Sequence, residues 1–349
     1  MAGWTSLTLE TKPFFALLLL VLLAGCSGND EGEIKLVTYQ QALAEALGQP
    51  TPHRANPPNI AAFPERDERL YAIAETREGI LNVYALRECH ITSLVAARNN
   101  QLGRVAPPSQ QWIYELELWR RLHTCWHSEV PQTLSEANRE RLEQLTRTKT
   151  EQLPRVSWNS LFDSEEWVRS FSRASSPLAP GETQGIEAQF EAVAWLHQAT
   201  LNQFNPQWRH ESATLEKHLK SLRSRPLTAE LLRALLLAEQ RLDEATGLLA
   251  ASLAAGDTCR NFSAVPGELH QRLTDIQAFD WLEQLEALAT RWLTEIDRLF
   301  ESHHPPPEAI GAYRERWLSL ENPDAPLPAF RRAYGDHHRH WQILIDHCS

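Results

Sequence analysis

The spacing of apolar residues along the chain indicates helices almost throughout. In the clearest stretch, apolar side chains recur at alternating intervals of three and four: Leu282, Leu285, Ala289, Trp292, Ile296 and Leu299. A period near 3.5 places all of them on one face of a helix and predicts a buried seam. Proline and glycine separate the helical stretches, and no segment has the two-residue alternation of a strand. We therefore predict an all-α fold, a multi-helix bundle with long helical hairpins. No period of 33 to 45 residues repeats, so a solenoid is not indicated.

The same pattern divides the chain into elements. Helices are predicted at 34–47, 75–101, 110–128, 133–152, 185–204, 211–222, 228–254, 267–302 (bent near Phe279), 308–318 and 327–347. The proline-rich stretch 49–64 cannot be regular helix, and we expect it either to wrap over the domain or to space the domain from its anchor. Residues 34–349 are predicted to form a single domain, with a sub-boundary in the loop 172–184.

The helices 75–101 and 110–128 are predicted to form a hairpin. Ser109 follows two prolines and is placed to cap the second helix. In that helix tryptophans recur every seven residues, interleaved with Leu116 and His123: Trp112, Trp119 and Trp126. An aromatic stripe with this spacing favours a packed seam over a ligand platform.

The N-terminus carries an uncharged apolar run at 14–24. It is shorter than the roughly 20 residues that span a bilayer, and it suits the core of a signal peptide. The run ends in Leu23-Ala24-Gly25-Cys26, which resembles the lipobox of bacterial lipoproteins. That resemblance implies a signal peptide at 1–25, lipid attached to Cys26, and a tether at 26–33, so that the lipid makes the membrane a partner.

Two further features bear on this anchor. Ser27 stands where an Asp would favour retention in the inner membrane, so the periplasmic face of the outer membrane is the predicted location and the inner membrane is the alternative. The positive charge before the apolar run is weak, because Lys12 is offset by Glu10. An ordinary secretory signal or a short buried helix is the other interpretation of this region.

The net charge of the chain limits the classes of molecule that it is expected to bind. The formal net charge is −11, which argues against nucleic acid, whose phosphates attract Lys and Arg. We therefore expect no nucleic-acid partner.

Apart from Cys26 there are four cysteines: Cys89, Cys125, Cys259 and Cys348. An even number in an oxidising compartment suggests two disulfides, for which three connectivities are possible. We favour Cys89–Cys125 and Cys259–Cys348, because each pair then lies within one half of the chain. Loops of these lengths correspond to roughly 4 kcal/mol of chain entropy. Four buried free thiols are the alternative, and the spacing does not favour zinc.

One stretch carries a resemblance to a known family. It runs from Cys89 to Cys125 and contains residues 94–103 (LVAARNNQLG), then Pro108-Ser109-Gln110 and Tyr114-Glu115. It resembles the domain of unknown function 3080 family of proteobacterial lipoproteins. The lipobox fits that family at one end, and Trp341 with Cys348 fits it at the other. The resemblance implies no activity and transfers no catalytic residue.

Five polar residues of this stretch flank the loop of the predicted hairpin: Arg98, Asn99, Gln110, Tyr114 and Glu115. They allow two interpretations. Arg98 and Glu115 could form a buried pair that holds the hairpin together, with Asn99 and Gln110 capping the loop backbone. Alternatively, the five residues could form a polar binding site at the hairpin tip.

No motif typical of nucleotide binding, an esterase elbow or a zinc protease occurs in the sequence. Histidines form three groups that could attract a metal: His123 with His127, His303 with His304, and His337 with His338 and His340. A metal site also needs converging ligands held in place, so we predict no metal, no cofactor and no catalytic residue.

These observations predict a lipid-anchored periplasmic helical protein, which we expect to be a non-enzymatic binding or structural component of the cell envelope. Its partner would be an unidentified envelope protein or ligand. The alternative is an envelope-acting enzyme, or a metal-binding protein, whose site is assembled from distant residues.

Overall fold

The computed structural model describes residues 31–76, 78–100, 105–209, 211–255, 259 and 276–348. The predicted signal peptide, Cys26, Ser27 and most of the tether lie outside these residues, as do the tip of the predicted hairpin around Gly103 and the predicted helical stretch 267–275. Within the described part the secondary structure is helical and contains no strand. This confirms the predicted all-α class. No helix there combines the length and the apolar character needed to cross a bilayer.

The helices are numbered here in chain order. They are α1 (Glu31–Leu47), α2 (Arg66–Arg69), α3 (Ile80–Ala85), α4 (Thr92–Asn99), α5 (Pro108–Trp126), α6 (Val130–Thr133), α7 (Glu136–Phe162), α8 (Glu165–Arg169), α9 (Ile186–Leu201), α10 (Ser212–Arg223), α11 (Leu227–Ala255), α12 (Ala278–Glu301), α13 (Glu308–Tyr313) and α14 (Pro326–Cys348). A 3-10 turn, Arg87–Cys89, lies between α3 and α4, and a π-helical turn, Arg314–Leu318, follows α13.

Helix α11 is the centre of the main core. It packs against α1, α12 and α14. The seam predicted on α12 is buried along its whole length. Gly32 allows α1 to approach α12 closely, because a Cβ there would lie 2.5 Å from the ring of Trp281.

A buried chain of hydrogen bonds joins α1, α11 and α14. Trp341 Nε1 donates to Tyr39 Oη at 2.7 Å, and Tyr39 Oη lies 2.6 Å from His337 Nε2. His337 Nδ1 lies 3.1 Å from the hydroxyl of Thr246, which donates to the Leu242 carbonyl. In the neutral ring, Nδ1–H donates to the Thr246 oxygen and Nε2 accepts from Tyr39. Burial lowers the pKa of His337 to about 3.

The proline-rich segment wraps over the domain instead of spacing it from an anchor. Ile60 is fully buried, and Phe63 stacks on Phe171 with ring centroids 4.3 Å apart. The Ala55 carbonyl accepts from Arg241, whose side chain is only 2% exposed and also pairs with Glu33 and Glu244.

The loop 172–184 is likewise held against the rest of the domain by backbone hydrogen bonds. Leu178 N donates to the Glu230 carbonyl, and Ala229 N to that of Ser170. One apolar core contains residues from both sides of this loop.

A second, smaller apolar cluster lies between α3, α4, α5 and α7. Its buried members are Val83, Leu86, Cys89, Ile91, Leu118, Leu122, Cys125 and Leu142. Cys89 and Cys125 form a disulfide inside it, and Cys259 and Cys348 form the other. Both favoured pairings are confirmed. The tryptophan stripe of α5 is a packed seam: Trp112 and Trp119 are buried in the main core, and Trp126 packs against the second cluster.

The prediction of one helix over 75–101 is wrong. Residues 75 and 76 are not helical, α3 begins only after Gly79, and His90 takes a left-handed conformation (φ 58°) before α4. The break at His90 is held by α5, because Cys89 is bonded to Cys125 and the His90 carbonyl accepts from Arg121. Just before the predicted start, side chains of α7 hydrogen-bond the backbone of Tyr71 and Ala74. Helix α7 is itself longer than predicted and continues through Pro154 to Phe162.

Candidate functional site

A cleft of about 790 Å³ opens beside the second cluster. Helices α4, α5 and α7 form its sides, together with residues 70–76, which we call the extended segment. Its floor is apolar and includes Val83, Ile91, Val95, Leu118, Leu122 and Leu145. The cleft therefore offers apolar contact area together with polar groups, the usual composition of a ligand site.

Tyr114 and Arg98 lie next to each other in this cleft. The Arg98 guanidinium carbon is 5.8 Å from the centre of the Tyr114 ring, within cation–π range. Burial, with a smaller contribution from the charge of Glu115, raises the pKa of Tyr114 to about 12. Its phenol therefore keeps its proton at neutral pH and can donate a hydrogen bond to a ligand.

Glu115 forms an ion pair with Lys149 of α7. The Nζ–Oε2 distance is 3.0 Å, and the two side chains are only 11% and 18% exposed. This pair joins α5 to α7, and it gives Glu115 a partner that neither interpretation of the sequence named. Sequence reasoning could not identify Lys149, because it lies 34 residues further along the chain.

The two remaining predicted residues can now be placed. Asn99 lines the cleft beside Arg98. Gln110 does not line it: its side-chain amide donates to Ser212 Oγ at 2.8 Å and to Glu216 Oε1 at 2.9 Å, which joins α5 to α10. Four of the five predicted residues therefore lie at one site, and the fifth has a role in helix packing.

The extended segment forms one side of the cleft, and the sequence did not predict this. The Asn159 side chain accepts from Tyr71 N at 2.9 Å and donates to Tyr71 O at 2.8 Å. Two helical turns earlier, Gln152 donates to Ala74 O at 2.9 Å. Residues seven apart lie on one face of a helix, about 10 Å apart, a distance that three extended residues can span. No periodicity within 70–76 signals this arrangement, because the amides that impose it lie in α7.

The histidine groups do not form a metal site in the described residues. No cluster of three or more His, Cys, Asp or Glu side chains there could hold a metal ion. The rings of His123 and His127 lie 4.2 Å apart, and His123 also stacks on Trp119. His303 is half-buried against Trp158 and Phe162, and its loss of hydration there lowers its pKa to about 4.

A second cavity, of about 470 Å³, lies between α12 and the π-helical turn. Its arginine, Arg314, is bound to Asp297 and Glu301 and lies over the ring of Phe300. Because this arginine already has two carboxylate partners, the cleft beside the second cluster is the stronger candidate for a ligand site.

The fold and this site define an all-helical, disulfide-bonded protein with one large amphiphilic cleft. Residues 36–349 match the family described as Protein of unknown function (DUF3080), and the chain belongs to that family. This confirms the resemblance found in the sequence. Searches of curated proteins and of solved structures return no match.

Proposed function

We propose that this protein is a lipid-anchored binding protein of the bacterial cell envelope, and that it holds its ligand in the cleft between α4, α5 and α7. The observation that carries the proposal is the composition of the cleft. An apolar floor lies below Tyr114, Arg98 and the Glu115–Lys149 pair, so one ligand can meet apolar, hydrogen-bonding and charged groups together.

The proposal of an envelope location rests on the sequence. The lipobox-like residues before Cys26 and the apolar run before them support export and lipid attachment, and Ser27 supports the outer membrane. The two disulfides suit an oxidising compartment such as the periplasm.

Binding is favoured over catalysis by the state of the charged groups in the cleft. Glu115, the carboxylate nearest Tyr114, is committed to Lys149, and Tyr114 is held in its protonated form. A general base needs a free lone pair within reach of its substrate. These two side chains are instead arranged as a fixed charge pair and a donor.

The test uses the full chain in its own envelope, cross-linked and purified through a C-terminal tag. Asn99→Trp fills the cleft from an exposed position of α4, and Ala97→Trp adds the same bulk on the opposite side of that helix. We expect Asn99→Trp to reduce captured material at least about tenfold, which corresponds to the loss of roughly 1.4 kcal/mol of binding. The Ala97→Trp variant should capture as much material as the unaltered chain.

Equal capture by the two tryptophan variants would overturn the proposal for the cleft. Chemical conversion of the captured material by the unaltered chain would favour the enzyme instead. The anchor is tested separately: Cys26→Ser should release the protein from membranes, and a variant that stays bound would exclude lipid attachment at this residue.

A further inference from the structure

The extended segment has a backbone edge with no partner in the protein. Among the described residues, no hydrogen bond involves the N–H or C=O groups of Ala72 and Ile73, or the N–H of Ala74. The side chains of Ala72 and Ala74 are exposed. In extended chain the N–H and C=O of one residue point to the same edge, so Ala72 together with the N–H of Ala74 would offer the donors and acceptors to which another chain can add as a strand.

Side chains of α7 fix the position of this edge. Asn159 bonds both backbone groups of Tyr71, and Gln152 bonds the carbonyl of Ala74, so the segment is fixed at two points three residues apart. Trp158 Nε1 also donates to the carbonyl of Arg69, just before the segment begins. A ligand that pairs here would not have to order this side of the cleft first, which lowers the entropic cost of binding.

Helix α3, which follows the segment, adds an exposed apolar surface. The exposed fractions are 83% for Ile80, 80% for Leu81 and 58% for Tyr84, while Val83 on the other face is buried in the second cluster. Three large apolar side chains on a six-residue helix form an unusually dense exposed group.

We infer that the ligand of the cleft is an extended polypeptide segment of a partner protein, which pairs with the backbone of residues 72–74. This inference rests on the proposed function and names its ligand class. Ile73 to Thr76 line the cleft, so a strand paired there would direct alternate side chains toward the apolar floor. Backbone pairing supplies affinity in this mode, while the floor and the surface of α3 supply selectivity. A sugar or a lipid would leave the open N–H and C=O edge without a matching series of partners.

The experiment selects displayed random peptides of about 10 residues, the length of a long strand, on the full chain purified in detergent. Bound peptides are then resynthesised with single N-methyl groups at each backbone amide in turn. We expect every second methylation to weaken binding at least about tenfold and the intervening ones to have little effect, because only alternate amides of a strand face its neighbour.

A pair of proline variants tests the same point on the protein. Ala72→Pro removes one open N–H at an exposed position, and Ala62→Pro makes the same change in exposed non-helical chain that does not line the cleft. Ala72→Pro should weaken the selected peptides at least about tenfold, and Ala62→Pro should not. Methylation effects without a two-residue period, or equal binding by both variants, would overturn the inference.

The outcomes separate the two proposals. If no peptide is selected, or if the envelope material that Asn99→Trp loses is glycan or lipid, the polypeptide inference fails and the proposed function stands. If Asn99→Trp captures as much envelope material as the unaltered chain, the proposed function is itself wrong, and the polypeptide inference that rests on it falls with it.

Discussion

The main core and the second cluster are closed in different ways. The main core buries most of its large side chains and satisfies some of its polar groups through internal partners, such as the chain from Trp341 through Tyr39 and His337 to Thr246. The second cluster has only eight buried members, two of which are the cysteines of a disulfide. It leaves the apolar side chains of α3 exposed and a cleft open at its edge.

The difference indicates a division of labour. A small cluster cannot bury enough apolar area to close on all sides, so a covalent link takes over part of its stabilisation. The unfilled space then remains available to a ligand. We expect stability to depend chiefly on the main core and ligand binding chiefly on the second cluster.

The largest expected effect is in the main core. Trp292 is fully buried, its Nε1 donates to Thr228, and its ring meets Phe190 edge-on. Trp292→Ala should lower the free energy of unfolding by about 3–5 kcal/mol, through lost contacts and a cavity. Val83→Ala, in the second cluster, should cost about 1–2 kcal/mol. Urea denaturation measures both, and an equal or larger loss for Val83→Ala would contradict the division.

The next effect should be confined to the second cluster. Replacing Cys89 and Cys125 together by Ser should cost about 2–4 kcal/mol. Amide hydrogen exchange should show protection lost in α3 and α4 while α11 keeps its own. The matched control replaces Cys259 and Cys348, where losses should appear near the end of α14 instead. If both pairs gave the same exchange pattern, the two regions would be one cooperative unit.

The smallest effect, taken per pH unit, is a pH dependence that belongs to the main core. The folded pKa values of His337 (about 3) and His303 (about 4) lie below the ordinary value of 6.5, so between those limits the unfolded chain binds more protons. Their contribution to stability is therefore complete above about pH 6.5 and is lost as pH falls toward the folded values, by roughly 1 kcal/mol per pH unit for each histidine.

His337→Gln should make this slope shallower, and His303→Gln should remove a separate share, because distant sites add. Urea denaturation across pH 4 to 7 measures the slopes. An unchanged slope in His337→Gln would mean that this histidine is not held neutral by the core.

Much of the fold was readable from local pattern. The seam of α12 and the tryptophans of α5 follow from helical spacing, and helix periodicity is a property of neighbouring residues. Placing each disulfide within one half of the chain was enough to pair the four cysteines. The hairpin stretch also pointed to the cleft, since Arg98, Asn99, Tyr114 and Glu115 all line it.

What the sequence alone determined is therefore the helical class, a favoured pairing of the cysteines and the neighbourhood of the site. Only the tertiary structure decided that the stretch 75–101 divides into α3 and α4, that Glu115 pairs with Lys149, and that Gln110 binds α10. The physical reason is the same in each case. Local spacing reports which face of an element is buried, whereas hydrogen bonds and ion pairs depend on partners that folding brings from distant parts of the chain.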